Sequence, residues 1–162
     1  MEQLTLFPPT YKYLIDSSSI LSQKEKDSFP RRVHKSLWET IDKSIEEQLI
    51  ITCSEIEEEV KKDDVVGTWL KSKHCLIIPI DDEIQINVRK IVTENPQMID
   101  FSAGSGSSSG DAFLIATAIK YKLTIITEEN KDKKNKIPDI SRKYGINTLS
   151  ITDLCIEEGW EF

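Results

Sequence analysis

The sequence has few of the residues that build zinc sites and disulfide frameworks. It contains three cysteines, with no Cys-x-x-Cys pair, and two histidines. The odd number and wide spacing of Cys53, Cys75 and Cys155 predict buried free thiols in a reducing cytoplasm. His34 and His74 have no second ligand at a useful spacing, so we expect neither a zinc site nor histidine catalysis.

Long apolar runs are also missing. The longest, at residues 75–80, is far shorter than the roughly 20 residues of a membrane-spanning helix, so we expect no membrane partner. Residues 1–9 show no basic region and no cleavage site, and we expect a cytoplasmic protein without a secretion signal. The glycines form no phosphate-binding P-loop pattern. The net charge of −7 argues against a protein that coats nucleic acid through bulk charge.

The 162 residues do hold enough apolar material for one folded domain. Short apolar segments predict buried strands at residues 12–15, 49–53, 75–79, 123–127 and 146–149. Apolar residues spaced three or four apart predict helices at residues 31–49, 54–62, 81–95, 111–121, 138–144 and 152–158, with another opening at residue 63 or 64. This alternation predicts an α/β protein whose parallel sheet is covered on both faces.

Local signals predict several helix ends and one loop. Ser54, followed by Glu57 three residues later, predicts a capping box at the start of a helix. Gly145 is expected to end the helix at residues 138–144. Serine and glycine dominate residues 101–110, which predicts a flexible loop inside the domain.

Four acidic residues stand where an open parallel sheet binds its ligands, outside the carboxyl ends of the strands. Asp16 ends the first strand, and Glu129 follows the strand at residues 123–127. Asp111 opens the helix that leads into that strand, and Glu59 lies in the helix after the second strand. Clustered carboxylates raise one another's pKa values, and a divalent cation relieves their repulsion. Oxygen ligands favour Mg²⁺ or Mn²⁺, which can orient a water and stabilise charge on a phosphodiester.

Each acid also has a purely structural interpretation. Asp16 could cap the following helix, and Asp111 could simply favour a helix N-terminus. Glu59 could be one solvated member of an acidic run, and Glu129 could be a loop acid. Only their joint placement favours a metal site.

Four segments resemble, in order, the motifs of PIN-domain nucleases. Residues 13–18 are similar to the opening strand and its Asp-Thr/Ser-Asn/Ser turn, and residues 54–60 resemble the Ser-x-x-Val-x-x-Glu-Leu helix. Residues 110–118 resemble the Ala-Asp-x-x-Leu-Ile-Ala-x-Ala helix, and residues 124–129 the Val-x-Thr-x-Asp/Glu strand end. With the ending at residues 136–162, they resemble a PIN-like subfamily of undescribed function related to VapC-type toxins.

The resemblance implies a three-layer α/β/α sandwich with a central parallel sheet. It implies a metal-dependent endoribonuclease, the toxin of a toxin–antitoxin pair, in which the four acids are the catalytic residues and bind Mg²⁺ or Mn²⁺. Ser17 and Thr127 would hold waters or phosphate oxygens. The expected partners are an RNA substrate such as transfer RNA, an antitoxin protein and a second copy of the chain.

Departures from the family pattern leave alternatives open. Ser18 stands where the family often has Asn, and the fourth acid is Glu129 rather than Asp. Glu128 competes with Glu129 as a ligand, and Glu58 competes with Glu59. The second hypothesis is therefore a weak or inactive PIN-fold module that binds a partner protein or RNA. A phosphoacceptor domain of the receiver kind would need paired acids after the first strand, which this sequence lacks.

A basic loop follows the fourth acid. Lys131, Lys133 and Lys134 are predicted to bind RNA phosphates near the site, with Lys136 at the end of the same loop. The alternative is a solvated loop without a binding role.

Overall fold

A single parallel sheet organises the computed structural model, which describes residues 11–73, 77–98 and 109–162. Its strands are β1 (Tyr13–Ile15), β2 (Ile50–Cys53), β3 (Ile77–Ile78), β4 (Thr124–Ile126) and β5 (Thr148–Leu149). They pair in the order β3-β2-β1-β4-β5, all parallel. The predicted three-layer α/β/α sandwich with a central parallel sheet is confirmed.

Helices connect the strands, because parallel neighbours need a crossover between them. The α-helices are α1 (Ser17–Leu21), α2 (Lys35–Glu46), α3 (Ser54–Val60), α4 (Asp64–Ser72), α5 (Asp82–Glu94), α6 (Ser109–Tyr121), α7 (Ile137–Lys143) and α8 (Ile151–Glu158). A 3-10 helix at Pro96–Met98 follows α5. No helix among these is long and apolar enough to span a lipid bilayer.

The core lies on both faces of the central strands. Every side chain of β1 and β2 is buried, as expected for parallel strands covered on two sides. Helix α6 packs against β2 and β4 with the fully buried residues Ala112, Leu114, Ile115, Ala116 and Ala118. Each buried large aliphatic side chain contributes about 1.5–3 kcal/mol relative to exposure, so the carboxyl end of β1 has a rigid support.

One predicted helix cap and one predicted helix start were wrong. The predicted capping box at Ser54 does not form, because Cys53 occupies the N-cap position and Ser54 is already helical. Strand β2 passes into α3 without a loop that could hold Ser54 in an extended conformation. Helix α2 begins at Lys35 rather than residue 31, and residues 31–34 form a turn that leaves Val33 62% exposed.

Other predicted ends agree with the structure. Asp63 caps α4 by accepting a hydrogen bond from the backbone N–H of Val66 at 2.9 Å. Gly145 follows α7 with a φ of +70°, the left-handed conformation that ends a helix at low cost for glycine. Both helix ends could be predicted from the sequence, because the residues that form each cap lie within a few positions of one another.

Some predicted features lie outside the described residues. These include His74, Cys75 and most of the predicted serine-rich loop, at residues 101–108. Ser109 and Gly110, which were assigned to that loop, belong to α6. Cys53 is buried and Cys155 is partly buried, and both are free thiols as expected.

An ion pair joins the turn before α2 to the core. Arg31 donates hydrogen bonds of 2.9 and 3.0 Å to Asp42, and Trp69 Nε1 donates to Asp42 Oδ1 at 2.8 Å. The guanidinium lies 5.4 Å from the ring centroids of both Trp38 and Trp69. Burial raises the pKa of Asp42, but the hydrogen bonds from Arg31 and Trp69 outweigh burial and leave that pKa below its ordinary value.

We expect Asp42→Ala to lower the free energy of unfolding by about 3 kcal/mol at neutral pH, because Arg31 loses its partner in a partly buried place. The native pKa of Asp42 is lowered, so its contribution is present above about pH 4 and is lost as the pH falls through the native value. Urea unfolding at several pH values measures both effects. Glu39→Ala, in an exposed 3.9 Å pair with Lys35, should cost less than about 0.5 kcal/mol. Equal losses in the two variants would contradict the expectation.

Candidate metal centre

The strand order creates a crevice between the carboxyl ends of β1 and β4. These two strands are neighbours, and the chain continues from them toward opposite edges of the sheet. Ligands of open α/β sheets bind at this kind of switch point. Asp16 directly follows β1 and Thr127 directly follows β4, so their side chains start at the two sides of the crevice.

Asp16 is held in place by two hydroxyl groups. Ser18 Oγ and Thr127 Oγ1 both donate to Asp16 Oδ2, at 2.8 and 2.9 Å. Each hydroxyl in turn accepts a backbone N–H, from Glu128 at 3.0 Å and from Glu129 at 3.2 Å. Burial raises the pKa of Asp16, and the two hydroxyl hydrogen bonds oppose that rise. The other oxygen, Oδ1, has only a 3.5 Å contact with Ser17 Oγ among the described hydrogen bonds.

Glu59 reaches the crevice from α3. Its Oε2 accepts a hydrogen bond from Ser17 Oγ at 2.7 Å, which connects α3 to the first turn of α1. Its Oε1 lies over the first turn of α6, where a Cβ added to Gly110 would stand only 2.2 Å away. Burial and the charge of Asp16 raise the pKa of Glu59. The neighbouring Glu58 instead forms a 2.7 Å ion pair with Lys61 on the exposed side of the helix.

The two consecutive acids after β4 have different partners. Glu129 Oε2 accepts the backbone N–H of Ile137 at 2.9 Å, at the start of α7. Glu128 Oε2 accepts the backbone N–H of Ile151 at 2.8 Å, at the start of α8. Burial raises the pKa of Glu129, and the charges of Asp16 and Glu59 raise it further. Glu129 therefore shares its surroundings with the other acids, whereas Glu128 supports the start of another helix.

Asp111 lies in the first turn of α6, and its surroundings perturb it strongly. Burial is the largest cause, and the charges of Glu129, Asp16 and Glu59 add to it, which raises the pKa of Asp111 to about 8. The influence of all three carboxylates on one group means that the four acids face a common region. Their residue numbers span more than a hundred positions, so the fold brings them together.

A shared pattern connects three of the carboxylates. Asp16, Glu59 and Glu129 each use one oxygen to accept a positioning hydrogen bond within the described structure. Among the described residues, the second oxygen of Glu59 and of Glu129 accepts no such bond, and Asp16 has only weaker contacts beside its two hydroxyl donors, from Ser17 Oγ at 3.5 Å and from the backbone of Ser17 and Ser18. These oxygens, together with the carboxylate of Asp111, are a set of hard donors of the kind that Mg²⁺ and Mn²⁺ prefer.

The donor chemistry fits a divalent cation, and the absence of a side chain at Gly110 leaves room for the carboxylate of Glu59. As the side chains stand, however, no three or more Asp, Glu, His or Cys residues within residues 11–73, 77–98 and 109–162 are close enough together to ligate one ion. Unneutralised carboxylates repel one another, so their spread is the electrostatically favourable arrangement. Ion binding would have to draw the unpaired oxygens together.

Two hydroxyls contact the acids of the crevice directly. Ser17 and Thr127, which were expected to hold waters or phosphate oxygens, donate hydrogen bonds to Glu59 and Asp16 in the structure. They position the acids. Ser18 has the same positioning role and was not assigned one from the sequence, although it stands two residues after the first acid.

The lysines of the basic loop differ in their surroundings. Lys131 forms a 2.7 Å ion pair with Asp153, and Lys133 and Lys134 are exposed. Lys136 is partly buried, and its charge opposes the raised pKa of Asp111 and of Glu129. The lysine that faces the acids is thus the last of the loop.

Comparison with known proteins identifies the family. The chain belongs to the family described as Domain of unknown function (DUF4411), whose model matches residues 13–162. No curated protein matches the chain. The matched region contains all four acids and the whole sheet, so the site and the fold lie within the family domain.

The raised pKa of Asp111 predicts that the metal-free protein loses stability as the pH rises. Between about pH 4 and about pH 8 the native state binds a proton at Asp111 that the unfolded chain does not, so the unfolding free energy falls across this range. We expect Asp111→Asn to raise the melting temperature at about pH 8 by several degrees and to change it little near pH 4. Thermal unfolding with a chelator present measures this. Asp132→Asn, an exposed loop variant with the same charge change, should keep the wild-type slope, and a wild-type slope in Asp111→Asn would contradict the prediction.

We expect Gly110→Ala to fold normally but to weaken Mn²⁺ binding about tenfold, comparable to losing a residue that orients a metal ligand. The added methyl would occupy the place of Glu59 Oε1, which can move away because it is the end of a flexible side chain. Calorimetric titration of Gly110→Ala, Glu59→Ala and the double variant tests the cause. If the glycine acts through Glu59, the alanine adds no further loss in the Glu59→Ala background. Fully additive losses would show another cause.

Proposed function

Starting from membership of this family, we propose that the protein is a divalent-metal-dependent endoribonuclease that hydrolyses phosphodiester bonds of RNA. The observation that carries the proposal is the set of four buried or partly buried carboxylates from different elements at the β1–β4 crevice, where burial raises the pKa of each and the charges of Asp16, Glu59 and Glu129 add to the rise at Asp111. A fold that keeps such repulsion in one place gains from a cation there. Asp16, Glu59, Asp111 and Glu129 would hold Mg²⁺ or Mn²⁺.

The residues around the crevice prepare the site for this chemistry. Ser18 and Thr127 hold Asp16 by one oxygen, and Ser17 does the same for Glu59. When bound, a divalent ion would lower the pKa of a water and balance the charge that develops on the phosphodiester. The fixed carboxylates limit how far the ligands must reorganise, which favours catalysis by positioning.

RNA is the substrate that the sequence motifs support. Four ordered segments resemble PIN-domain nucleases, and exposed lysines at positions 133 and 134 follow the fourth acid. The resemblance further supports a cytoplasmic toxin acting on a structured RNA such as transfer RNA, inhibited by an antitoxin protein and acting as a homodimer. Induced expression in a bacterial host tests the toxin assignment, since growth arrest should require Asp16.

We expect the purified protein to cleave RNA with Mg²⁺ or Mn²⁺ and to be inactive with a chelator. Asp16→Asn should lower the cleavage rate at least about a hundredfold, because it removes a charged ligand while keeping a similar shape and hydrogen-bonding capacity. Gel analysis of labelled total RNA under single-turnover conditions measures the rate. Wild-type cleavage by Asp16→Asn would mean that the nuclease activity lies elsewhere or in a contaminant.

Adjacent acids supply a matched control for this experiment. Glu59→Gln should lower the rate strongly, whereas Glu58→Gln should leave it near that of the wild type, because Glu58 pairs with Lys61 away from the crevice. The two variants differ by one position on one helix and carry the same charge change. Equal effects would mean that the acidic run acts only through its total charge.

A second candidate is a PIN-like module that binds a partner protein or RNA without turnover. The spacing of the acids favours it, since no three of the described side chains can ligate one ion without moving. Calorimetry with Mn²⁺ separates the two functions: binding that is lost in Asp16→Asn supports the nuclease, and no heat at millimolar metal supports the module.

A further inference from the structure

One lysine lies beside the acid cluster on the α7 side of the crevice. Lys136 is the N-cap residue of α7, and the backbone N–H of the next residue, Ile137, donates to Glu129 Oε2 at 2.9 Å. The main chain of Lys136 is therefore fixed next to the Glu129 carboxylate. Because Ile137 is fully buried, this part of the chain has little freedom to move away.

The position of Lys136 is unusual among the lysines of this loop. Lys131 is engaged by Asp153, and Lys133 and Lys134 are exposed. Lys136 is partly buried, and within the described part of the chain no carboxylate lies within the 4.0 Å of an ion pair. Its positive charge acts on two acids of the cluster, Asp111 and Glu129, although it forms an ion pair with neither of them.

Electrostatics supports this location. Burial raises the pKa of Asp111 and of Glu129, and the positive charge of Lys136 opposes the rise at both groups. A cation in this place partly neutralises the acids, but it also repels a divalent ion that binds to them. A phosphate that enters together with the ion removes the conflict, because its oxygens are attracted to both positive charges.

We propose that Lys136 is a substrate-binding residue that donates a hydrogen bond to a non-bridging oxygen of the RNA phosphate held at the acid cluster. This inference rests on the proposed function, since it needs RNA at the β1–β4 crevice. Lysine suits the role as a compact, strongly charged phosphate ligand. In this arrangement the lysine closest to the phosphate is the last of the loop, rather than Lys131, Lys133 or Lys134.

RNA binding measured over a range of salt concentrations tests the proposal. The probe is a fluorescein-labelled RNA of random sequence with Ca²⁺, checked by gel to be intact, and the readout is fluorescence anisotropy. We expect Lys136→Gln to weaken binding about tenfold and to reduce the slope of log affinity against log salt by about one, as for loss of one phosphate contact. Lys136→Arg should restore most of the affinity.

Two controls separate a phosphate contact from a structural role. Lys43→Gln has the same charge change on the last turn of α2, which leads to the opposite end of β2, and should keep the wild-type slope. Without RNA, Lys136→Gln should bind Mn²⁺ several-fold more tightly, because a nearby positive charge is removed. Damage to the site would instead weaken Mn²⁺ binding, and that result would overturn the proposal.

The outcomes also distinguish this inference from the proposed function. If the wild type binds and cleaves RNA and Lys136→Gln does so with the same affinity and salt slope, Lys136 is not a phosphate ligand and the nuclease assignment stands. If the wild type neither binds nor cleaves RNA, the proposed function is wrong and the role of Lys136 is wrong with it. Weaker binding with a reduced slope, restored by Lys136→Arg, supports both.

Discussion

One constraint governs the structure at the carboxyl ends of β1 and β4. It is the repulsion between four partly or fully buried carboxylates. Burial disfavours the charge of each acid, and burial together with the charges of Glu129, Asp16 and Glu59 raises the pKa of Asp111 to about 8. The fold does not avoid this cost by pointing the groups into solvent. It holds Asp16, Glu59 and Glu129 through one oxygen each, with hydroxyl or backbone donors that favour the charged form. Such donors fix direction without neutralising the charge, which is the arrangement that a site for an incoming cation requires.

The Arg31–Asp42 pair shows that the same chain can bury an acid in a different way. Asp42 has a bidentate guanidinium partner and an indole N–H, and despite its burial its pKa is lowered. Asp111 is buried near other carboxylates, and burial first and their charges second raise its pKa. Asp42, which serves only to stabilise the fold, thus has a full cationic partner in Arg31. At the β1–β4 crevice, within the part of the chain that the structure describes, Lys136 opposes the negative charge of Asp111 and Glu129 without forming an ion pair with either, and Lys62 opposes that of Glu59.

Much of the fold followed from the sequence, because burial on both faces gives parallel strands an unmistakable apolar run. The strands at residues 12–15 and 49–53 were predicted within one residue, and the four acids follow from their positions after strands and in helices. The choices left open, Glu58 or Glu59 and Glu128 or Glu129, depend on partners that are distant in the chain. Ser17 engages Glu59 from another helix, and the backbone of Ile137 engages Glu129. Ser54 failed as a cap for a related reason: the strand before it leaves no extended position for it to occupy.

The positioning hydrogen bonds also determine what binding a cation would cost. An ion that took both oxygens of Glu129 would compete with the backbone N–H of Ile137 and loosen the start of α7. An ion that takes only the unpaired oxygens leaves these hydrogen bonds intact, so its main cost is the rotation needed to draw the acids together. That cost is offset by relief of repulsion, which is largest at high pH, when Asp111 would otherwise be charged. The network therefore keeps the acids apart without a cation while leaving one oxygen of each held carboxylate available to it, and this division would let one sheet edge be stable and, in the proposed function, also reactive.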